Sequence, residues 1–442
     1  MRRQALLLGL FVSLMVPLAA TAASGETPAA NAGTVPSPGP MELIAQGDRL
    51  LSGAGGTVDG VAAIASYEAA IGKGSTIAFL RLGDIYRRGV VVRPDPLKAL
   101  AYYKQAADAG NRAGKLRVAE MTARGEGTTQ DVEGGRALAR ALADAGDASA
   151  FFALGEMYSQ GDAGPIDSTA AVAAYRDAAE RGSSRALVRL GMIYRDGTLA
   201  NKDPALALEY FTRAADAGSA AARFAIGKGY VLGQFGEAGS PAEGVQMLRQ
   251  LDEAGLKDAV LVLSDSYFAG RGVDRDPKTA INVLDDAMAK GNVAAGRRLV
   301  ALYRDGRSSA VRRDLARARN YLTEVSKRLD ADTLAVEQIL LGAAAAASPG
   351  DYESVRTDFS AVGEPSRPDL VRKLRATNPH VYVYLVQSHL KERGAYAGAL
   401  NGRLNAGTVR AISRYCGKIG TRAACIHGPL SNEVVELFQP LL

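Results

Sequence analysis

Apolar and small residues recur along this chain in two alternating patterns with helical spacing. The first pattern places leucine, glycine and tyrosine on one face, and its copies are Leu82, Gly83 and Tyr86; Leu154, Gly155 and Tyr158; and Leu190, Gly191 and Tyr194. The second pattern places alanines around an aromatic ring, and its copies are Ala99, Tyr103, Ala106 and Ala107; Ala171, Tyr175, Ala178 and Ala179; and Ala207, Phe211, Ala214 and Ala215. Residues three and four apart share one face of an α-helix, so each pattern predicts one helix. We expect the small residues to bring two helices together and the aromatic ring to fill the gap between successive helix pairs.

The tyrosines of the first pattern continue beyond its complete copies, at Tyr230, Tyr267 and Tyr303. A line of aromatic residues at a fixed helical position is more typical of packing than of a ligand site. We therefore interpret these tyrosines as contacts between repeats.

Glycines mark the ends of the predicted helices. They form two sets with intervals of 36 residues and a single interval of 37, namely Gly89, Gly125, Gly161, Gly197, Gly233, Gly270 and Gly306, and then Gly110, Gly146, Gly182, Gly218, Gly255 and Gly291. The longer interval places one inserted residue near Phe235, Gly236 and Glu237. Because helices often end in a left-handed residue that glycine adopts without strain, two glycines per unit predict two helix ends per unit.

Aspartates mark the start of the second helix of each unit. The dipeptide Asp-Pro begins this helix at Asp95, Asp203 and Asp276, and Asp131 and Asp167 occupy the same position. The carboxylate can cap the helix, and proline suits the first turn. Each unit is thus predicted to be helix A, a turn, helix B and a second turn.

This combination of residues resembles the Sel1-like repeat family, a relative of the tetratricopeptide repeat. Residues 183–218 are a near-complete copy, whereas residues 111–147 depart from the pattern with Ala119 for the glycine and Thr122 for the tyrosine. The array is expected to cover residues 41–330, with residues 59–74 as the second helix of a leading partial repeat. The resemblance implies an all-α fold, a right-handed α-solenoid of helix pairs with a concave docking surface.

Composition agrees with a repeat array. The chain has 442 residues, of which 47% are hydrophobic and 23% are charged. This length is too great for one ordinary core, and the apolar content excludes a wholly disordered chain.

The first 23 residues have the pattern of a cleaved secretory signal peptide. Arg2 and Arg3 precede an apolar run from Ala5 to Leu18, and small residues follow. The run is shorter than the roughly 20 residues that span a bilayer, although an uncleaved anchor is the alternative. No cysteine lies near the predicted cleavage site, so we do not expect a lipid-anchored lipoprotein. We expect an exported, periplasmic protein with no transmembrane span in the mature chain. Residues 24–40 are rich in Ala, Gly, Pro, Ser and Thr and are predicted to be a flexible linker.

The repeat register is lost after residue 330. Residues 331–365 are predicted to form capping helices, and residues 366–442 a small helical module. The module contains eleven Lys and Arg against four Asp and Glu, a net charge of +7, while the whole chain carries +6. Such a surface favours anionic partners. Cys416 and Cys425 are the only cysteines, and in an exported chain we expect them to form a disulfide.

Part of this module resembles the peptidoglycan-binding-like domain, through the glycines, Asn401 and Thr408 that follow Val386 and Gln387. The resemblance implies possible glycan-binding or docking residues, which are Tyr396, Asn401, Gly402, Arg403, Thr408 and Arg410. Peptidoglycan or an anionic polysaccharide is the partner that this resemblance implies. The alternative is a module that only docks proteins.

The chain contains no recognisable catalytic or metal-binding motif. Its histidines are His380, His389 and His427, and none belongs to a His-Glu-x-x-His or paired-cysteine arrangement. His389 and Glu392 are three residues apart on a predicted helix, and we interpret them as a surface pair. We therefore expect no enzyme activity, no cofactor, no metal and no nucleic-acid partner.

The predicted function is a periplasmic scaffold that binds other envelope proteins on the solenoid surface. In length, export and repeat coverage, the chain resembles the alginate-export periplasmic scaffold family, which implies a role in the biosynthesis and export of an exopolysaccharide such as alginate. The alternative is a peptidoglycan-associated adaptor or a periplasmic regulator of a signalling or division protein.

Overall fold

The structure is a computed structural model that describes residues 37–53, 58–306, 310–363, 366–421, 425, 428 and 430–438. The predicted signal peptide and residues 24–36 of the predicted linker lie outside the described residues. Every helix or strand element in these ranges is helical, apart from a single bridge residue at Val311. The chain divides into two compact units, Met1–Asp95 and Pro96–Leu442.

The first unit contains α1 (Pro40–Ser52), α2 (Gly60–Gly72) and α3 (Thr76–Arg88). The linker prediction was one residue too long, since Pro40 already begins α1. A Cβ atom added at Gly47 in α1 would lie 2.6 Å from the ring of Tyr67 in α2. This close approach makes α1 and α2 a complete helix pair, so the leading repeat has a first helix as well as the predicted second one.

The second unit continues the array with alternating helices A (odd numbers) and B (even numbers). These are α4 (Pro96–Asp108), α5 (Arg112–Arg124), α6 (Val132–Asp144), α7 (Ala148–Ser159), α8 (Ser168–Glu180), α9 (Ser184–Asp196), α10 (Pro204–Asp216), α11 (Ala220–Val231), α12 (Pro241–Glu253), α13 (Ala259–Ala269), α14 (Pro277–Ala289), α15 (Val293–Asp305) and α16 (Leu315–Ser326). From α4 to α16 each helix packs on the next one in the chain. This stacking of neighbours is the α-solenoid that the glycine period predicts.

In the pairs α7–α8 and α9–α10, as in α1–α2, a glycine of helix A lies against an aromatic ring of helix B. A Cβ added at Gly155 would lie 2.5 Å from Tyr175, and one added at Gly191 would lie 2.7 Å from Phe211. The ring therefore fills space inside a pair, which corrects the expectation that it packs between successive pairs. Because helix A has no side chain at this position, the aromatic ring of helix B has room to pack against it.

In the repeat at residues 111–147, the glycine at the close contact between the two helices lies in helix B instead of helix A. Ala119 replaces the glycine of helix A, and Gly135 in helix B provides the close approach instead. A Cβ on Gly135 would lie 2.6 Å from the carbonyl oxygen of Ala119. Helices α5 and α6 pack together as the other pairs do.

The predicted helix ends are confirmed with one exception. Six glycines of the first set and all six of the second take positive φ angles. Gly161 does not, because the chain continues into a short 3-10 helix, Gly161–Ala163, that buries Ala163. Gly164 takes the positive φ there. The side chains of four predicted aspartates cap helices B, and they are Asp131, Asp167, Asp203 and Asp276.

A polar capping residue also marks the start of helix A in several repeats. A polar residue follows the turn glycine and accepts a hydrogen bond from the first turn of the next helix, and these residues are Ser75, Asn111, Asp147, Ser183, Ser219 and Asn292. Serine, asparagine and aspartate are the preferred residues at this position.

The segment with the inserted residue places the Phe235 ring in the hydrophobic core. Phe235 is 5% exposed and its ring contacts the rings of Phe211 and Tyr230 edge-on. The inserted loop therefore extends the core of the array between α11 and α12.

The second unit ends with α17 (Ala331–Ala345), α18 (Pro349–Ser360), α19 (Arg367–Thr377), α20 (Pro379–Glu392), α21 (Ala406–Lys418) and α22 (Asn432–Phe438). One hydrophobic core runs through all six helices. The Tyr384 hydroxyl donates to Glu353 at 2.9 Å, and the amide of Asn378 donates to the carbonyl oxygen of Ala343, also at 2.9 Å. The predicted boundary between capping helices (331–365) and module (366–442) is therefore wrong, because the two segments share their core. We call α17–α22 the C-terminal body.

Candidate docking surface

The solvent side of the A helices carries a row of open cavities. We call this surface the helix-A face, and it is formed by α7, α9, α11, α13, α15 and α17. A cavity of about 290 Å³ lies along α7, α9 and the start of α11, and a second of about 460 Å³ lies between α11 and α13. A third, of about 400 Å³, lies along α13, α15 and α17. The second and third cavities share Leu261 and Asp265, so the row is continuous there.

Apolar side chains line the middle of the helix-A face. Phe152, Val188 and Met192 line the first cavity, and Phe224, Leu232 and Leu261 line the second. Met192 is 36% exposed and Leu232 is 42% exposed. Adjoining exposed apolar side chains in concave surfaces are typical of binding sites.

Ion pairs between successive A helices stabilise the rest of the face. The Arg189 guanidinium lies 2.7 Å from Glu156, and that of Arg298 lies 2.6 Å from Asp265. Glu156 also accepts a hydrogen bond from the hydroxyl of Tyr175. Burial and the Glu156 carboxylate raise the pKa of Tyr175 above its ordinary value, although a hydrogen bond with Ser159 acts in the opposite direction. Tyr175 is therefore a neutral donor at physiological pH.

A buried carboxylate joins the array to the C-terminal body. Glu337 in α17 has a side chain only 6% exposed, and it lies 2.8 Å from Arg297 and 3.5 Å from Arg304, both in α15. Arg304 also pairs with Asp305 at 2.7 Å. Because the charges compensate one another, this cluster is structural.

The ion pairs stop in the middle of the face. In the positions equivalent to Glu156 and Asp265, α9 carries Met192 and α11 carries Lys228. Lys228 lines the second cavity and makes no ion pair within the described part of the chain. Ion pairs thus join the A helices at the two ends of the face, whereas the central helix α11 contributes Phe224, Leu232 and Lys228 to the second cavity.

The tyrosine line lies in the packing between helices. Tyr194 is 7% exposed, stacks on Tyr210 and accepts a hydrogen bond from Arg176 of the preceding helix B. Tyr303 is 6% exposed, and its hydroxyl accepts a hydrogen bond from the guanidinium of Arg317. These contacts agree with the interpretation of the tyrosines as packing residues.

The residues predicted to bind glycan divide into buried and exposed groups. Tyr396, Gly402 and Thr408 are buried. They surround the fully buried Gln387, whose amide nitrogen donates to Thr408 at 2.9 Å and whose oxygen accepts from the nitrogen of Gly402, also at 2.9 Å. The side chain of Asn401 accepts from the backbone nitrogen of Arg403. These contacts hold the loop before α21 in place.

Gln387 lies within the segment that resembles the peptidoglycan-binding-like domain, but it was not among the predicted site residues. Only Arg403 and Arg410 of the predicted set point to solvent. Their role in glycan binding stays a prediction. The predicted disulfide is present between Cys416 and Cys425.

His389 has a different position from the expected surface pair. It is 7% exposed, and its Nε2 atom lies 3.3 Å from the hydroxyl of Tyr415. Burial, and then the charge of Arg393, lower the pKa of His389. Glu392 points away, towards Ser388 and Arg356. The expectation was wrong because α20 is buried on nearly all sides in the C-terminal body.

Of the two remaining histidines, one lies within the described residues. His380 Nδ1 lies 3.0 Å from the carbonyl oxygen of Gly402, and His427 lies outside the described residues. The described ranges hold no cluster of three or more His, Cys, Asp or Glu side chains arranged to bind a metal. None of the described helices combines the length and hydropathy needed to cross a bilayer.

Comparison with known proteins identifies the repeats. No curated protein sequence matches this chain. Among solved structures, a protective antigen of uropathogenic Escherichia coli with an SLR fold is 23% identical, with a TM-score of 0.40, covering 80% of this chain and 73% of the antigen. A Sel1 repeat protein from Oxalobacter formigenes is 24% identical, with a TM-score of 0.42, covering 66% of this chain and 84% of that protein.

The identification of the repeats rests on the match to a family model. Six segments match the Sel1 repeat, and they are residues 78–111, 113–147, 148–183, 184–219, 258–282 and 294–324. They include the atypical repeat with Ala119 and the near-complete copy that begins at Ser183. The chain therefore contains an array of Sel1 repeats.

Proposed function

We propose that this protein is an exported scaffold that binds other envelope proteins on its helix-A face. The Sel1 repeats support a role in protein–protein interaction. The observation that carries the proposal is the centre of the face, where Phe224 and Leu232 of α11 line a cavity next to the one that Met192 of α9 lines. Large apolar side chains in such pockets usually supply most of the binding energy of an interface.

Photo-crosslinking in cells tests this proposal. A benzoylphenylalanine residue at Leu232 should give discrete crosslinked products. The matched control is Leu138 on helix B α6, which is 48% exposed and lies outside the helix-A face. The same products from both positions, or none from Leu232, would contradict the proposal.

A charge substitution provides a second test of the same surface. We expect Met192→Asp together with Leu232→Asp to abolish the crosslinks formed from Phe224. Since both side chains are already exposed, the variant should keep its thermal unfolding midpoint. Unchanged crosslinks would contradict the proposal.

The site of action that we propose is the periplasm, and the process is the export of an anionic exopolysaccharide such as alginate. The predicted signal peptide and the basic surface of the C-terminal body support this. No Asp or Glu occurs from residue 393 to residue 432, whereas Arg403, Arg410 and Lys418 are exposed. Affinity electrophoresis in gels containing polyuronate should retard the protein. Replacing Arg403→Glu and Arg410→Glu should remove the retardation, whereas Arg319→Glu with Arg328→Glu should not.

The same basic surface also supports the alternative, a peptidoglycan-associated adaptor. Sedimentation with isolated sacculi separates the two. Binding to sacculi without retardation by polyuronate favours the adaptor, and the reverse result favours the exopolysaccharide role. Charge variants are preferable to deletion of residues 366–442, because deletion would expose the core shared with α17 and α18.

A further inference from the structure

The turn between α15 and α16 is longer than its equivalents. Seven residues lie between Gly306 and the capping residue Asp314, whereas five lie between Gly197 and Asp203 and five between Gly270 and Asp276. The glycine period did not reveal this insertion, because no repeat glycine follows it.

The C-terminal part of this turn is held in place. Val311 is 2% exposed and belongs to the core formed by α13 to α17. A Cβ added at Gly306 would lie 3.1 Å from the backbone nitrogen of Arg313, so the backbone of Arg313 lies close to the end of α15. Arg312 and Arg313 therefore follow an anchored residue and have a restricted backbone.

These two arginines line a cleft of about 700 Å³ between the starts of α14 and α16. Lys278 and Arg317 line the same cleft. Arg317 is positioned by the hydroxyl of Tyr303, which lies 3.0 Å from its guanidinium. Four cations, one from α14 and three from residues 312–317, thus share one concave surface.

The nearby carboxylates do not neutralise this charge through ion pairs. Asp314 is the one acidic residue among the described residues that line the cleft, and it accepts a hydrogen bond from the backbone nitrogen of Arg317 at 2.9 Å. Asp276 accepts from the backbone nitrogens of Lys278 and Thr279. Among the described residues, no ion pair of Arg312 or Arg313 is present within 4.0 Å. The two carboxylates cap helices, and the cations stay available.

We propose that the α14–α16 cleft binds an oligoanionic ligand that carries two or more phosphate or carboxylate groups. Guanidinium groups bind both kinds of group with paired hydrogen bonds, and several cations in one concave site favour a ligand with several charges. The volume lies within the usual range of small-ligand sites, about 300–1,000 Å³. This proposal is independent of the helix-A face, which Arg312 and Arg313 do not line.

Isothermal titration calorimetry with pyrophosphate and with citrate tests the proposal and separates the two chemistries. At low ionic strength, we expect one binding site per chain, and the tighter of the two probes identifies the preferred group. Replacing Arg312→Ala and Arg313→Ala should lower the association constant about tenfold or more, because charge-assisted hydrogen bonds are lost. Lys278→Ala removes one cation from α14 and should lower the association constant less than the double substitution.

The matched control is Arg319→Ala with Arg328→Ala, which removes the same charge from exposed positions outside the cleft. This control should retain wild-type affinity for either probe. No binding of either probe to the wild-type protein would overturn the proposal. An equal loss in the two double variants would also overturn it, since it would show a general effect of net charge.

Discussion

At the scale of single residues, glycine and aromatic partners determine how closely two helices of a pair approach. The absence of a side chain at Gly191 gives Phe211 its space, and Phe211 is fully buried as a result. The same relation holds between Gly155 and Tyr175. The sequence showed that both residue types recur, but it could not show that they contact each other.

Gly191→Ala should therefore destabilise the protein, although alanine has the higher helix propensity. The added Cβ would overlap the Phe211 ring, and we expect a loss of roughly 1–3 kcal/mol in urea unfolding. Gly417→Ala is the control, because a Cβ there meets nothing within 4 Å. It should be neutral or stabilising by up to about 1 kcal/mol. Equal effects at the two positions would show that packing against Phe211 is unimportant.

His389 should make the C-terminal body sensitive to acid. The folded chain has a lowered pKa at His389, so below the ordinary value of 6.5 the unfolded chain binds the proton more readily. The free energy of unfolding should fall as the pH drops through about 6.5 towards the folded pKa. The ring packs edge-on against Tyr415 and Phe438, Glu392 opposes the shift and Arg393 adds to it.

Unfolding of the His389→Phe variant at about pH 7.5 and about pH 5.5 measures this contribution. We expect a smaller difference between the two pH values than in the wild-type protein. His380→Gln, an exposed position, should keep the wild-type difference. A wild-type difference in the His389→Phe variant would show that another group carries the acid sensitivity.

At the scale of elements, local capping decides where each helix begins and ends. The carboxylate of Asp203 accepts from the backbone nitrogen of Leu206 at 3.0 Å at the start of α10. The turn glycine and the polar residue after it separate one pair from the next. These features depend on a few adjacent residues, which explains why most helix ends were predictable and why Gly161 was not. At Gly161 a buried contact of Ala163 overrides the local preference.

Asp203→Ala should cost about 1 kcal/mol, because a backbone nitrogen of the first turn loses its acceptor. Asp216→Ala, in the last turn of the same helix, is the control. It should be neutral or slightly stabilising, since a negative charge is unfavourable there. Shifts in the urea midpoint measure both changes. A larger loss at Asp216 than at Asp203 would contradict the capping role.

At the scale of the whole molecule, the second unit combines a repeat array with a body that has its own core. The array relies on contacts between neighbours in the chain. The C-terminal body instead buries side chains from α17 to α22 together, including Tyr352, Leu370 and Phe438. Residues 366–442 should therefore depend on residues 331–365 for their fold.

Two purified fragments test this dependence. Residues 331–442 should unfold cooperatively when followed by circular dichroism, whereas residues 366–442 alone should show low helicity and no cooperative transition. The physical reason is the loss of the α17 and α18 side chains that complete the core. A cooperative transition of the shorter fragment at the same temperature would restore the boundary predicted from the sequence.

The repeat period, the alternation of helices A and B and the Sel1 repeats were predictable from the sequence, because helix caps and left-handed glycines act over a few adjacent residues. The sequence also predicted the disulfide between the only two cysteines. Which side chains are accessible depends on the tertiary structure, which buries Thr408 and His389, joins α17–α22 in one core and places Lys278 in the same cleft as Arg312. Burial and the meeting of charges depend on neighbours distant in the chain, and a local pattern contains no information about them.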